Sequence, residues 1–142
     1  MAKTYHLNPM GRFINRVMRT LIRLGIGPQQ TYLLTVRGRK SGKPMSTPVS
    51  LVEDSGTRWI VAPYGNVNWV KNARAAGEVQ LTRRGKTETV KILEVGASES
   101  APVLKKYIQM EAITRPYFTA TVESPVEEFA KEADQHPVFR VY

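Results

Sequence analysis

The sequence predicts an α+β fold built on an antiparallel β-barrel, with about six strands and three or four helices. Six short segments are rich in β-branched and aromatic residues or alternate between apolar and polar residues. Most of these segments are joined by hairpin-type turns, which favours an antiparallel sheet that closes on itself. A chain of 142 residues fits one domain with one core. We therefore expect residues 1–142 to form a single domain.

The N-terminal segment has the pattern of a basic amphipathic helix. Residues 9–24 repeat apolar side chains at helical spacing, and the remaining arc carries Arg12, Arg16, Arg19 and Arg23. Glycines at 25 and 27 and Pro28 end the helix. We expect residues 1–28 to pack on the barrel or to cover its pocket. Contact with an anionic membrane surface is the alternative left open.

The first three strands follow this helix. Residues 29–37 and 44–54 read as strands separated by the turn RKSGK, and residues 57–63 read as a third strand after the turn at 54–56. Residues 65–77 then have an asparagine near a helix start, helical spacing, and Gly77 as a C-terminal stop. The chain therefore reads as three hairpin-joined strands followed by a helix.

The second half contains one more hairpin and a closing strand. Residues 78–84 and 87–96 alternate cleanly around a Gly85-Lys86 turn. A helix is expected from Ser98 to about Glu111, and Ser124-Pro125 precedes a short helix. Residues 116–124 between them read as irregular, and residues 137–142 (PVFRVY) read as the last strand.

Composition restricts the possible chemistry. The 21 Lys and Arg against 12 Asp and Glu leave a net charge of +9, which attracts nucleic acid, an acidic membrane or an acidic small molecule. There is no cysteine, so thiol catalysis and cysteine-bound zinc are excluded. His6 and His136 are the only histidines, too few for a metal site, and no pattern indicates a catalytic triad, a P-loop or a Rossmann fingerprint. With neither a signal peptide nor an apolar span in the pattern, we expect a cytoplasmic protein, with membrane association through the N-terminal helix as the exception.

The turn at 37–43 is a candidate anion site. It combines cationic side chains with two glycines, and successive backbone N–H groups in such a turn can bind phosphate or carboxylate. An exposed, well-solvated hairpin explains the same residues. Both interpretations stay open on this motif alone.

Two further stretches are candidates for a binding site. Residues 62–72 (APYGNVNWVKN) pass from strand to turn to helix, and a helix N-terminus favours an anion. Residues 105–122 bring together several aromatic side chains, of which Tyr117, beside Pro116, is the candidate proton donor or orienting group. Packing in the core is the alternative for Trp69 and for Tyr107.

These stretches resemble the deazaflavin-dependent nitroreductase family. The resemblance rests on TVRGRKSGKPMSTPV, then WIVAPYGNVNWVKNARAAG, then a hairpin and an aromatic C-terminal third, and it runs from about Thr31 to the C-terminus. It implies a split β-barrel of the FMN-binding type that uses the 5-deazaflavin coenzyme F420. Related split barrels bind FMN, haem or biliverdin, so the barrel alone does not identify the cofactor.

The resemblance also implies a set of site residues. The basic turn would hold the phosphate and the acidic tail of the coenzyme, through Arg37, Arg39, Lys40, Ser41 and Lys43. The next strand would flank the deazaflavin ring with Ser46, Thr47, Pro48 and Val49. The second stretch would complete the phosphate and ribityl side with Ala62, Pro63, Tyr64, Gly65, Asn68 and Trp69. Tyr117 would stand on the substrate side. Met45 departs from the arginine that is frequent at this position, so Lys40 or Arg39 would have to serve instead.

The expected function is hydride transfer from reduced coenzyme F420 to an electron-poor acceptor: an activated alkene such as an unsaturated lactone, a quinone, or a nitroaromatic compound. The coenzyme supplies the redox chemistry, which fits the shortage of histidine, cysteine and metal ligands. The alternatives are a non-catalytic carrier of F420 or FMN, and a basic nucleic-acid-binding module supported by charge alone. We expect no nucleic-acid partner and no metal, and the oligomeric state is left open.

Overall fold

The computed structural model of the chain describes Arg16, Val17, Arg19 and residues 30–142. Those three N-terminal residues are helical, in agreement with the periodicity of residues 9–24. The rest of the predicted helix, and the predicted packing of residues 1–28, lie outside the described residues and stay predictions.

The described strands form a closed antiparallel barrel in the order β1-β2-β3-β6-β5-β4. They are β1 (Thr31–Arg37), β2 (Pro44–Asp54), β3 (Thr57–Val61), β4 (Glu78–Arg83), β5 (Lys86–Glu94) and β6 (Val138–Val141). The sequence-adjacent pairs β1–β2, β2–β3 and β4–β5 are the predicted hairpins. Pairing of β6 with β3 and β5, and of β1 with β4, closes the barrel. The predicted fold class is confirmed.

Three α-helices and two 3-10 helices lie outside the barrel in the described part of the chain. They are α1 (Asn68–Ala76), α2 (Ala97–Met110) and α3 (Val126–Lys131), with 3-10 turns at Ala112–Tyr117 and Ala133–Gln135. Gly77 ends α1 in the left-handed region, at φ 74°, as predicted. The expected asparagine at the start of α1 is not its cap: the N-cap is Val67, which has no capping side-chain bond.

The hydrophobic core has two parts, and β2 separates them. Val49 and Leu51 pack inside the barrel with residues such as Leu34 and Phe139. Val52 belongs to a second cluster, shared with α2 and α3. Because side chains alternate along a strand, Ser46, Pro48 and Ser50 share the outer face with Val52. β2 therefore presents a polar and prolyl surface outside the barrel, directly next to the helical layer.

Candidate functional site

A large cavity lies on the outer face of β2. Its volume is about 810 Å³, within the range usual for sites of small ligands and cofactors. β2 supplies one wall, the loop after β3 and the start of α1 supply another, and the end of α2 with the 3-10 turn that follows supplies the third. β3 ends at Val61, two residues before the predicted end at Pro63. Pro63 lies in the loop that follows, and a proline has no N–H with which to continue strand pairing.

Many of the sequence-predicted residues line this cavity. They are Ser46, Thr47, Pro48, Val49, Pro63, Tyr64, Asn68 and Trp69. Ala62 and Gly65 are part of the same loop and shape it without being lining residues. The ring-flanking and loop-side predictions therefore fall on one continuous surface, although the segments 46–49 and 62–69 are separated by residues 50–61 of the chain.

The turn at 37–43 is adjacent to the cavity but does not line it. Its neighbour Met45 is a lining residue, whereas Arg37, Arg39, Lys40, Ser41 and Lys43 are exposed residues beyond it.

Most of the backbone amides in this turn are already bonded inside the protein. Gly38 N–H donates to the Lys43 carbonyl (2.8 Å), Gly42 N–H to the Gly38 carbonyl (2.9 Å), and Lys43 N–H to Ser41 Oγ (3.2 Å). The Arg39 N–H donates to Asn72 Oδ1 (3.0 Å). Most of the N–H groups that could have bound an anion in this turn thus donate to acceptors inside the protein. The side chains of the turn remain as the groups that can bind an anion.

Asn72 connects the basic turn to α1 and to the cavity. It is 2% exposed, and its Oδ1 accepts hydrogen bonds from both the N–H and the Nη1 of Arg39, the latter at 2.8 Å. Its Nδ2 donates to Met45 Sδ at 3.7 Å. The Arg39 guanidinium is therefore committed in part to holding the turn against α1.

Arg19 is a cavity residue that the sequence analysis did not single out. Its guanidinium lines the cavity and donates from Nη1 to the Ser46 carbonyl at 3.3 Å. No described carboxylate pairs with it. The helical spacing of the N-terminal arginines placed Arg19 on a basic arc, but nothing local connected that arc to β2.

The loop 62–65 is held by a buried network behind the cavity wall. The Ala62 N–H donates to the Pro137 carbonyl (2.8 Å), and His136 Nδ1 bonds to the Pro63 carbonyl (2.8 Å). Because a carbonyl only accepts, His136 carries a proton on Nδ1. Its Nε2 lies 2.8 Å from Oε1 of the buried Glu132. From the sequence, only Asp134 was considered as a neighbour of His136. The partner of His136 in the structure is Glu132, which precedes it by four residues.

The two cavity walls other than β2 carry phenols and a carboxylate. Tyr64 lines the cavity, and the ring of Tyr117 packs edge-on against it, with centroids 4.8 Å apart. Tyr64 is therefore a lining residue, and Tyr117 contacts it without being one. Burial, together with the nearby Glu111 carboxylate, raises the pKa of the lining residue Tyr107 far above that of a free phenol.

The described residues contain neither a cluster of metal ligands nor a membrane-spanning helix. No group of three or more His, Cys, Asp or Glu side chains there could hold a metal ion. Likewise, none of the helices in this part of the chain is long and apolar enough to cross a membrane.

Comparison with known proteins identifies a family. Residues 12–124 match the model of the F420H(2)-dependent quinone reductase family. No curated protein matches the chain significantly.

Solved structures share the fold. A structure described as an F420-H2 dependent reductase (FDR-A) superposes with a TM-score of 0.54 at 22% identity, covering 80% of this chain and 95% of that one. A structure described as a domain-swapped dimer gives 0.58 at 20% identity, over 95% and 100% of the two chains. A NimC/NimA family protein from Clostridium acetobutylicum gives 0.54 at 11% identity, over 89% and 80%. At these identities the likeness supports the split-barrel fold alone.

Proposed function

This chain belongs to the F420H(2)-dependent quinone reductase family and is an oxidoreductase that uses reduced coenzyme F420, and we propose that it passes a hydride to a quinone-type acceptor bound in the cavity on β2. Activated alkenes and nitroaromatic compounds, the other expected acceptors, share the electron-poor carbon that such a transfer needs. The proposal goes beyond the family in naming the site and the roles of its residues.

The observation that carries the proposal is the combination of an apolar surface and a cation in one cavity. Pro48 and Trp69 offer surface on which a flat ring can stack, and Arg19 faces the same space with no carboxylate of the described residues paired to it. The N-terminus of α1 begins beside it at Asn68, where N–H groups and the positive end of the helix dipole favour a phosphate. A coenzyme with a flat head and a phosphodiester fits this donor set.

The basic turn extends the cationic end of the cavity. The side chains of Lys40, Lys43 and Arg37 are exposed just beyond Met45, in the direction in which an acidic tail would leave the cavity. Because Arg39 is bonded to Asn72, we assign the main phosphate contact to Arg19, with the turn holding the tail.

The reduced coenzyme, when bound, supplies the hydride, so that a quinone gains two electrons and is protonated to the hydroquinone. The protein has to orient the acceptor, exclude water and meet the negative charge that develops on the acceptor oxygen. We assign that last role to the phenol pair: Tyr64 at the cavity surface and Tyr117 against it, with Tyr117 kept as the proposed proton donor.

A titration with oxidised coenzyme F420 tests the binding part of the proposal. Quenching of tryptophan fluorescence should report binding, since Trp69 lines the cavity. Arg19→Ala should raise Kd by about tenfold or more, the value of a charge-assisted contact. Arg39→Ala combined with Lys40→Ala should weaken binding further. Lys86→Ala, at the start of β5, is the matched control for Arg19→Ala with the same loss of charge.

Turnover tests the enzymatic part. Reduced coenzyme mixed with the protein and a simple naphthoquinone should regain the visible absorption of its oxidised form. Tight coenzyme binding without turnover of any acceptor class would indicate a carrier instead. If FMN competes with F420 on equal terms, the cofactor assignment at this site is wrong. An unchanged Kd both in Arg19→Ala and in the variant that combines Arg39→Ala with Lys40→Ala would contradict the assigned phosphate end.

A further inference from the structure

Glu111 is a carboxylate that the proposed reaction does not use, although it lines the cavity. Its Oε1 accepts hydrogen bonds from Ser50 Oγ at 2.7 Å and from Gln30 Nε2 at 3.4 Å. Both donors are neutral, and among the described residues no donor bonds to Oε2. The carboxylate therefore keeps hydrogen-bonding capacity for a molecule inside the cavity.

The place of Glu111 in the fold is unfavourable for its charge. It is the C-cap of α2, where its N–H donates to the Tyr107 carbonyl at 2.9 Å. The C-terminal end of a helix carries partial negative charge, so a carboxylate there loses energy where a cation would gain it. The Ser50 hydroxyl holds the carboxylate at this place in the cavity. A carboxylate that lies at an electrostatically unfavourable helix end and also lines a cavity is a candidate for a functional residue.

The cavity has opposite charges at its two ends. Arg19 contacts the carbonyl of Ser46, near the start of β2, whereas Glu111 contacts Ser50, four residues along the same strand. Four residues of strand span about 13 Å. A molecule lying along this wall would meet a cation at one end and a carboxylate at the other.

We propose that Glu111, oriented by Ser50, determines the specificity of the acceptor end of the cavity. It favours acceptors whose substituents carry a positive charge or a hydroxyl donor, and it disfavours anionic acceptors. The inference rests on the proposed function, because it assigns the Arg19 end to the coenzyme phosphate and the Glu111 end to the acceptor. An anionic substituent beside Glu111 would meet like charge with no described cation to neutralise it.

The test uses two naphthoquinones with the same ring and the same propyl linker, one ending in trimethylammonium and the other in sulfonate. In the unmodified protein kcat/KM should favour the ammonium compound by at least about tenfold. This preference runs against the net charge of +9, which by itself attracts the sulfonate. Glu111→Gln keeps an acceptor oxygen for Ser50 but removes the charge, and it should bring the two values within about twofold.

Glu127→Gln, on the exposed side of α3, is the matched control. It changes the net charge by the same amount and should keep the preference for the ammonium compound. Equal or reversed use of the two quinones by the unmodified protein would overturn the inference, whether or not Glu111→Gln folds. So would a preference that survives in Glu111→Gln.

Binding of the two quinones without coenzyme separates this inference from the proposed function. The quinones quench tryptophan fluorescence on contact, and Trp69 lines the cavity, so the two Kd values can be compared without any turnover. A tenfold preference for the ammonium compound that is lost in Glu111→Gln supports the inference even if no acceptor is reduced. Equal Kd values overturn it even if turnover is fast.

Discussion

Replacing Glu132 with alanine should strongly destabilise the fold. Glu132 Oε1 accepts a hydrogen bond from the Thr119 N–H (3.0 Å) and bonds to His136 Nε2 (2.8 Å), while its Oε2 accepts from the Ala120 N–H (2.7 Å). The side chains of Glu132 and His136 are only 7% and 3% exposed. Alanine would leave two N–H groups without acceptors and the imidazole without its partner, and the Ala120 N–H and the imidazole are buried.

The expected loss is a large part of the total stability. Each donor that loses its acceptor in a protein interior costs about 1–3 kcal/mol, so the hydrogen bonds to Glu132 together account for about 3–5 kcal/mol. A domain of ordinary stability unfolds with about 5–15 kcal/mol. For a chain of this length, about 3–4 °C of melting temperature corresponds to each kcal/mol, so the midpoint should fall by about 10–20 °C.

Urea titration and thermal unfolding followed by circular dichroism measure this loss. Glu128→Ala is the control, since Glu128 is exposed on α3 and pairs with Lys131 at the surface, where such a pair contributes about 1 kcal/mol or less. If Glu132→Ala melts within about 2 °C of Glu128→Ala, the reasoning about the buried network is refuted. The same variant should weaken coenzyme binding, because His136 holds the Pro63 carbonyl at the cavity wall.

Three other changes probe the elements that shape the cavity. Asn72→Ala should cost about 1–3 kcal/mol in urea unfolding and weaken coenzyme binding, because it frees Arg39 and the basic turn; unchanged stability would contradict the role of this amide. Gly65→Ala should cost about 1–2 kcal/mol, since φ is 89°, and a melting temperature equal to that of the unmodified protein would contradict this. Glu88→Gln should cost under about 1 kcal/mol at pH 7. Hydrogen bonding to Arg58 lowers the pKa of Glu88, so this contribution is present above the carboxyl's unfolded pKa and disappears as the pH falls through the lowered value. A stability difference that does not shrink as the pH is lowered would contradict it.

Several parts of the site could be predicted from sequence because they depend on local chemistry. Gly77 ends α1 because glycine readily adopts the left-handed conformation found there. Pro63, just after β3, has no N–H with which to extend strand pairing. The segments around 46–49 and 62–69 were predicted through a family resemblance, and they do line one cavity. The role of Tyr117 stays a prediction, since Tyr64 lines the cavity and Tyr117 only contacts Tyr64.

The strands, the hairpins and the positive charge could be read from the sequence, because alternation, turn residues and composition are all local to the chain, and the resemblance to a known family added the cofactor. Three further features became visible in the folded chain: β6 pairs with β3 and β5, Glu132 is the partner of His136, and Arg19 and Glu111 occupy opposite ends of one cavity. These are contacts made by closing the barrel and packing helices against its outer face. Arg19 meets Ser46 across 27 positions and Glu111 meets Ser50 across 61, separations over which no periodic pattern carries information.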